Sequence, residues 1–96
     1  MTWKTDPTTG HIRGTVVDRH GLPLDQIRVT VRDISGKRLL ASRLTDGSGW
    51  FGFVDLAPGR YKLTVDDEDA RGRHMRVVKV AAGELETVPF VIKVRE

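Results

Sequence analysis

From Ile12 to Val94 the chain is a succession of short runs in which apolar and polar residues alternate, each cut off by Gly, Pro, Asp or Ser. Side chains of an extended strand point to opposite faces with a period of two, whereas a helix repeats near 3.6. No stretch holds the longer period, so the pattern excludes a helical fold and predicts packed β-sheets. The first run places Ile12, Gly14 and Val16 on one face and Arg13, Thr15 and Val17 on the other. The clearest run sets Ile27, Val29 and Val31 inward, and Arg28, Thr30 and Arg32 outward. Further runs follow at Leu39–Leu44, Trp50–Val54, Tyr61–Val65, 73–81 and Val88–Val94.

Between them lie turn signals: Gly21-Leu22-Pro23, Ser35-Gly36, Asp46-Gly47-Ser48-Gly49, Pro58-Gly59 and Ala82-Gly83. Glycine admits positive φ and proline presets its own, so these are the places where a strand reverses. The acidic run Asp66-Asp67-Glu68-Asp69 reads as a solvated loop rather than a calcium site, because it lacks the spaced oxygen ligands and interior glycine of an EF-hand. Pro89 has no N–H for a ladder, which predicts an edge position or a bulge in the last strand. Seven strands, each with one apolar face, suit two stacked antiparallel sheets. Residues 1–10 read as a leader and residues 11–96 as one domain.

Several of these pieces, in this order and spacing, resemble the carboxypeptidase regulatory-like family. They are Ile12-x-Gly14-x-Val16-x-Asp18, Gly21-x-Pro23-Leu24, Val29-x-Val31, Thr45-Asp46-x-x-Gly49-x-Phe51-x-Phe53, Leu56-x-Pro58-Gly59-x-Tyr61 and Leu63-x-Val65. The resemblance implies an all-β, seven-stranded antiparallel Greek-key β-sandwich of the transthyretin-like type. It further implies a structural or interaction module without catalysis, of the kind appended to secreted peptidases, outer-membrane receptors and surface adhesins. The matched residues make turns and core, so they carry architecture, and function follows only by analogy.

Chemistry is sparse. There is no cysteine, and the three histidines, His11, His20 and His74, are far apart in sequence, unlike zinc ligands. No serine sits in a nucleophile elbow. Transthyretin-like folds include a 5-hydroxyisourate hydrolase family that ends in Tyr-Arg-Gly-Ser, which Val91-Ile92-Lys93-Val94-Arg95-Glu96 does not match. Related adhesin domains cross-link a first-strand lysine to a last-strand Asn or Asp, and neither partner stands at those positions here. The expectation is no enzyme, no cofactor and no metal.

Charge counts of 16 Lys+Arg against 13 Asp+Glu give a net charge of +3, scattered rather than blocked. Without aromatics interleaved among the bases, nucleic acid is an unsuitable partner. No apolar run approaches the ~20 residues of a membrane helix, and the opening Met1–Asp6 is unlike a signal peptide. The compartment stays open.

Binding residues are expected on outward faces. Arg28 and Arg32, together with Lys62, form a basic patch if their strands are neighbours, joined by Arg73, Met75, Val77 and Lys79 of the sixth run. Trp50 points outward beside a glycine-rich turn, where an indole can anchor a partner protein or stack on a carbohydrate. The leading expectation is binding or positioning of a partner protein or neighbouring domain. The alternative is a carbohydrate-binding module using Trp50.

Overall fold

The computed structural model describes residues 9–65, 70–71 and 74–94. These form strands β1 (Gly10–Asp18), β2 (Arg28–Asp33), β3 (Leu39–Leu44), β4 (Trp50–Leu56), β5 (Gly59–Val65), β6 (Ala70–Arg71), β7 (His74–Val80) and β8 (Leu85–Val94). The seven expected strands are all present. Two-residue β6 is additional, too short to show any periodicity. The acidic run at 66–69, Trp3 and Arg73 lie outside the described residues.

The strands make two sheets, ordered β4-β1-β8-β6 and β3-β2-β5-β7. The all-β sandwich is as the sequence predicts, with one difference in direction: β1 and β8 run parallel, from His11 opposite Leu85 to Asp18 opposite Ile92. The other ladders are antiparallel. Alternation fixes which face a strand buries but carries no information about its neighbour's direction.

Between the sheets lies one core. Ile12, Val16, Val29, Val31, Phe53, Leu63, Val80 and Ile92 are essentially fully buried. Phe51 packs against Phe53 at 5.9 Å and against Phe90 at 6.2 Å between ring centroids, joining β4 to β8. Gly14, in the middle of β1, is there because nothing larger fits. A β-carbon would stand 1.9 Å from the Val88 carbonyl oxygen and 2.6 Å from the Phe51 ring.

Pro89 lies opposite Thr15. Val16 directs its N–H to Gly49 and its carbonyl to Leu24, so its neighbour Thr15 faces β8. In that parallel ladder the Pro89 nitrogen turns away from β1, and β6 covers β8 only at Lys93 and Val94. Among the described residues no strand lies beside Pro89 on that side, so the proline occupies an edge, as its missing donor requires.

In β3 the apolar positions depart from the expected pattern. Val31 pairs with Ala41 and Arg32 with Leu39, so Leu40 is an extra residue on β3. This bulge leaves Leu39 and Leu40 both exposed. Ala41, not the leucines, packs against the core.

Candidate functional site

The register of β3-β2-β5-β7 assembles an outward surface. Residues paired across a ladder share a face. Leu44 lies opposite Arg28 and Ser42 opposite Thr30. Thr30 in turn faces Thr64, and Arg32 faces Lys62. Across the next ladder Arg60 faces Lys79, Lys62 faces Val77 and Thr64 faces Met75. Arg28, Arg32, Arg60, Lys62 and Lys79 thus stand on one face, and no described strand position on it holds a carboxylate. Met75 and Val77 add exposed apolar surface beside the cations.

Thr30 is outward yet buried, because its hydroxyl hydrogen bonds with that of Thr64 across the ladder. The pair fills the centre of the face and spaces the cations around it. Lys62 lies against the turn after β2, its ammonium 3.6 Å from where a Gly36 β-carbon would stand.

Two ladder pairs, Arg32 with Lys62 and Arg60 with Lys79, set like charges directly opposite each other. Such pairs work against the sheet. Replacing Lys62 by Glu turns one into an opposite-charge pair, so K62E should raise stability by about 0.5 kcal/mol. Thermal unfolding of K62E beside the wild type measures this, and a lower Tm contradicts it.

Trp50 lies elsewhere. It sits on β4, at the edge of the other sheet, opposite Thr15. The preceding turn holds it in place. The Asp46 carboxylate accepts the Ser48 N–H at 2.9 Å and the Trp50 N–H at 3.0 Å. The Gly49 N–H donates to the Asp46 carbonyl at 2.9 Å, with Gly49 at φ 75°, where a side chain would be strained. The Asp46 side chain thus closes the turn that leads into β4. Among the described residues no group of three or more His, Asp or Glu is placed to hold a metal ion.

The Trp50 indole is 40% exposed, and the Arg13 guanidinium lies over its ring, 5.1 Å from the centroid. This is a cation–π contact. It occupies one face of the ring that a sugar would use. The structure brings Arg28, Arg32 and Lys62 together and puts Trp50 on the other sheet, so the four do not form one site. Sequence reading missed Arg60, which it left between a turn and a strand that begins at Gly59. Its position two residues before Lys62 was the available signal. Arg13 over Trp50 had none, because it depends on β1 pairing with β4.

Two half-buried carboxylates are held below their ordinary value of 3.8. For Asp18 the main cause is the Leu22 N–H, and for Asp33 it is the Ser35 hydroxyl. Both hydrogen bonds favour the ionised form. Each closes the turn after its strand, Asp18 accepting from His20 and Leu22, and Asp33 from Ser35 and Arg38.

In sequence, residues 11–93 match the model of the carboxypeptidase regulatory-like domain. The chain belongs to the carboxypeptidase regulatory-like domain family. No curated protein matches it. Solved structures share the fold at low identity. The minor pilin GBS52 of Streptococcus agalactiae superposes with a TM-score of 0.79 at 18% identity, over 94% of this chain and 46% of that one. BcpA, the major pilin subunit of Bacillus cereus, gives 0.72 at 17% identity, over 93% and 31%. Klebsiella pneumoniae 5-hydroxyisourate hydrolase gives 0.69 at 20% identity, over 91% and 92%. This carboxypeptidase regulatory-like domain spans less than half the length of either pilin. At such identities the likeness extends to the fold alone.

Proposed function

We propose that this carboxypeptidase regulatory-like domain is a non-catalytic module that binds a partner protein, or a neighbouring domain, through the outward face of β3-β2-β5-β7. The observation that carries the reading is the arrangement of charge on that face. Arg32 opposes Lys62 and Arg60 opposes Lys79, with no carboxylate among the described strand positions of that face to relieve them. Like charges in register cost the free domain stability, and an acidic partner surface offsets that cost. The pilin subunits that share the fold support a role in association between proteins.

The test is electrostatic. A fluorescent peptide of alternating Glu and Val serves as an acidic probe, read by anisotropy. The triple variant R28E/R32E/K62E should bind it at least about tenfold more weakly, a loss of about 1.4 kcal/mol. Raising salt from about 0.1 M to about 1 M, which shortens the screening length from about 10 Å to about 3 Å, should weaken wild-type binding in parallel. Unchanged affinity in the triple variant, with its circular dichroism intact, overturns the proposal.

Exposure of the Trp50 indole favours a second reading, carbohydrate binding at β4. A sugar stacking there would meet the face opposite Arg13 or displace it. In a Trp3→Phe background Trp50 is the only remaining tryptophan, so its fluorescence reports the site directly. A spectrum unmoved by a panel of glycans removes this reading.

A further inference from the structure

The β3-β2-β5-β7 sheet ends on β7, and among the described residues no strand lies on its far side. An unpaired edge is a template for another chain, and proteins blunt such edges with bulges, prolines or covering segments. The other edges here show those devices. On β3 Leu40 bulges, and the Arg43 guanidinium donates to the Ser42 carbonyl at 2.8 Å. On β4 the ladder slips at Asp55, whose φ is 59°, and the Trp50 amide and carbonyl are engaged by Asp46. On β8 there are Pro89 and β6. β7 has neither Pro nor Gly, and its ladder to β5 runs without a break from His74 opposite Val65 to Val80 opposite Gly59.

The register fixes which backbone groups of β7 face outward. The Thr45 N–H donates to the Ile27 carbonyl, and the Gln26 N–H to the Thr45 carbonyl. Bonded positions recur at every second residue of an antiparallel ladder. Val29 and Val31 therefore face β3, and Thr30 and Arg32 face β5. On β5, Tyr61, Leu63 and Val65 then face β7. Met75, Val77 and Lys79 consequently point their N–H and C=O groups away from β5. Their side chains stand on the basic face, with Met75 and Val77 about half exposed.

We propose that this edge accepts an extended acidic–apolar segment of a partner as an added antiparallel or parallel strand. The inference rests on the binding role of the basic face and names the form its partner takes. Backbone pairing supplies affinity and alternate side chains supply specificity. An added strand lies about 4.8 Å from β7, so its outward side chains meet Met75, Val77 and Lys79, with Arg60 and Lys62 in the next row. Acidic residues at every second position suit that row, beside Lys79, Lys62 and Arg60, and the apolar residues between them fall on the opposite face, beside Val78 and Val80. A second copy of β7 centred on Val77 would set Lys79 opposite Met75 and bring no carboxylate to the basic face.

The probe is again the peptide of alternating Glu and Val, with a Lys and Val peptide beside it. Amide hydrogen exchange in the wild type is followed by NMR. At saturating acidic peptide, the Met75, Val77 and Lys79 amides should exchange at least about tenfold more slowly, and the basic peptide should leave them unchanged. Val77→Pro removes an outward N–H and no β5 ladder bond, a substitution edge strands tolerate. It should weaken the acidic peptide about tenfold with circular dichroism unchanged. Should that variant unfold, the wild-type exchange decides. Binding that R28E/R32E/K62E abolishes but that leaves the three amides unprotected overturns strand addition while the basic-face role stands. No binding of the acidic peptide overturns both. Slowing that grows with protein concentration alone, with a dimer in light scattering, overturns it in favour of self-pairing.

Discussion

Gly14→Ala should destabilise the domain by about 3 kcal/mol or more, at the upper end of what overpacking costs. The added methyl has nowhere to go. Its nearest neighbour is the Val88 carbonyl oxygen at 1.9 Å, with the Phe51 ring at 2.6 Å. An aromatic ring can rotate away, but the carbonyl belongs to β8, which is locked to β1 from His11 to Asp18. Relief requires prising apart two strands at the centre of the sheet. A domain of this size has only about 5–15 kcal/mol of stability in total, so the variant should show a much lower urea midpoint. Adding Phe51→Leu should restore little, because the carbonyl is the tighter contact. Near-complete rescue by Phe51→Leu would mean that the ring, not the β1–β8 approach, sets the requirement for glycine.

Phe53→Ala should cost about 3–5 kcal/mol, the usual range for removing a buried phenylalanine. The ring is 1% exposed, packs against Phe51, and has the Arg43 guanidinium 5.9 Å from its centroid on the other sheet. Its loss empties the core between β4 and β3. Chemical denaturation should give a lower midpoint with little change in slope. A loss below about 1 kcal/mol would place Phe53 outside a well-packed core.

Much of this architecture was legible in the sequence, because burial on one face writes itself as alternation. Ile12, Val16, Val29, Val31, Leu63 and Ile92 are buried where the period of two puts them. The Asp46–Gly49 turn was legible for the same local reason: its residues close it by themselves. What depends on partners was not. Nothing local reports that β1 runs parallel to β8, that Leu40 bulges, or that Thr30 is buried by a hydroxyl three strands on in sequence. The basic face is an intermediate case. Arg28, Arg32 and Lys62 were readable as outward, but their meeting required β2 and β5 to be neighbours. Trp50 was readable as exposed, while Arg13 above it was not.

The central claim is that binding goes through the cations of β3-β2-β5-β7 and not through Trp50. Affinity capture from a lysate of the source organism, read by mass spectrometry, tests it with three baits: wild type, R28E/R32E/K62E and Trp50→Ala. The account predicts one protein with an acidic segment enriched by the wild type and by Trp50→Ala, and lost from the triple variant. A protein kept by the triple variant and lost from Trp50→Ala, or nothing enriched by the wild type, contradicts it.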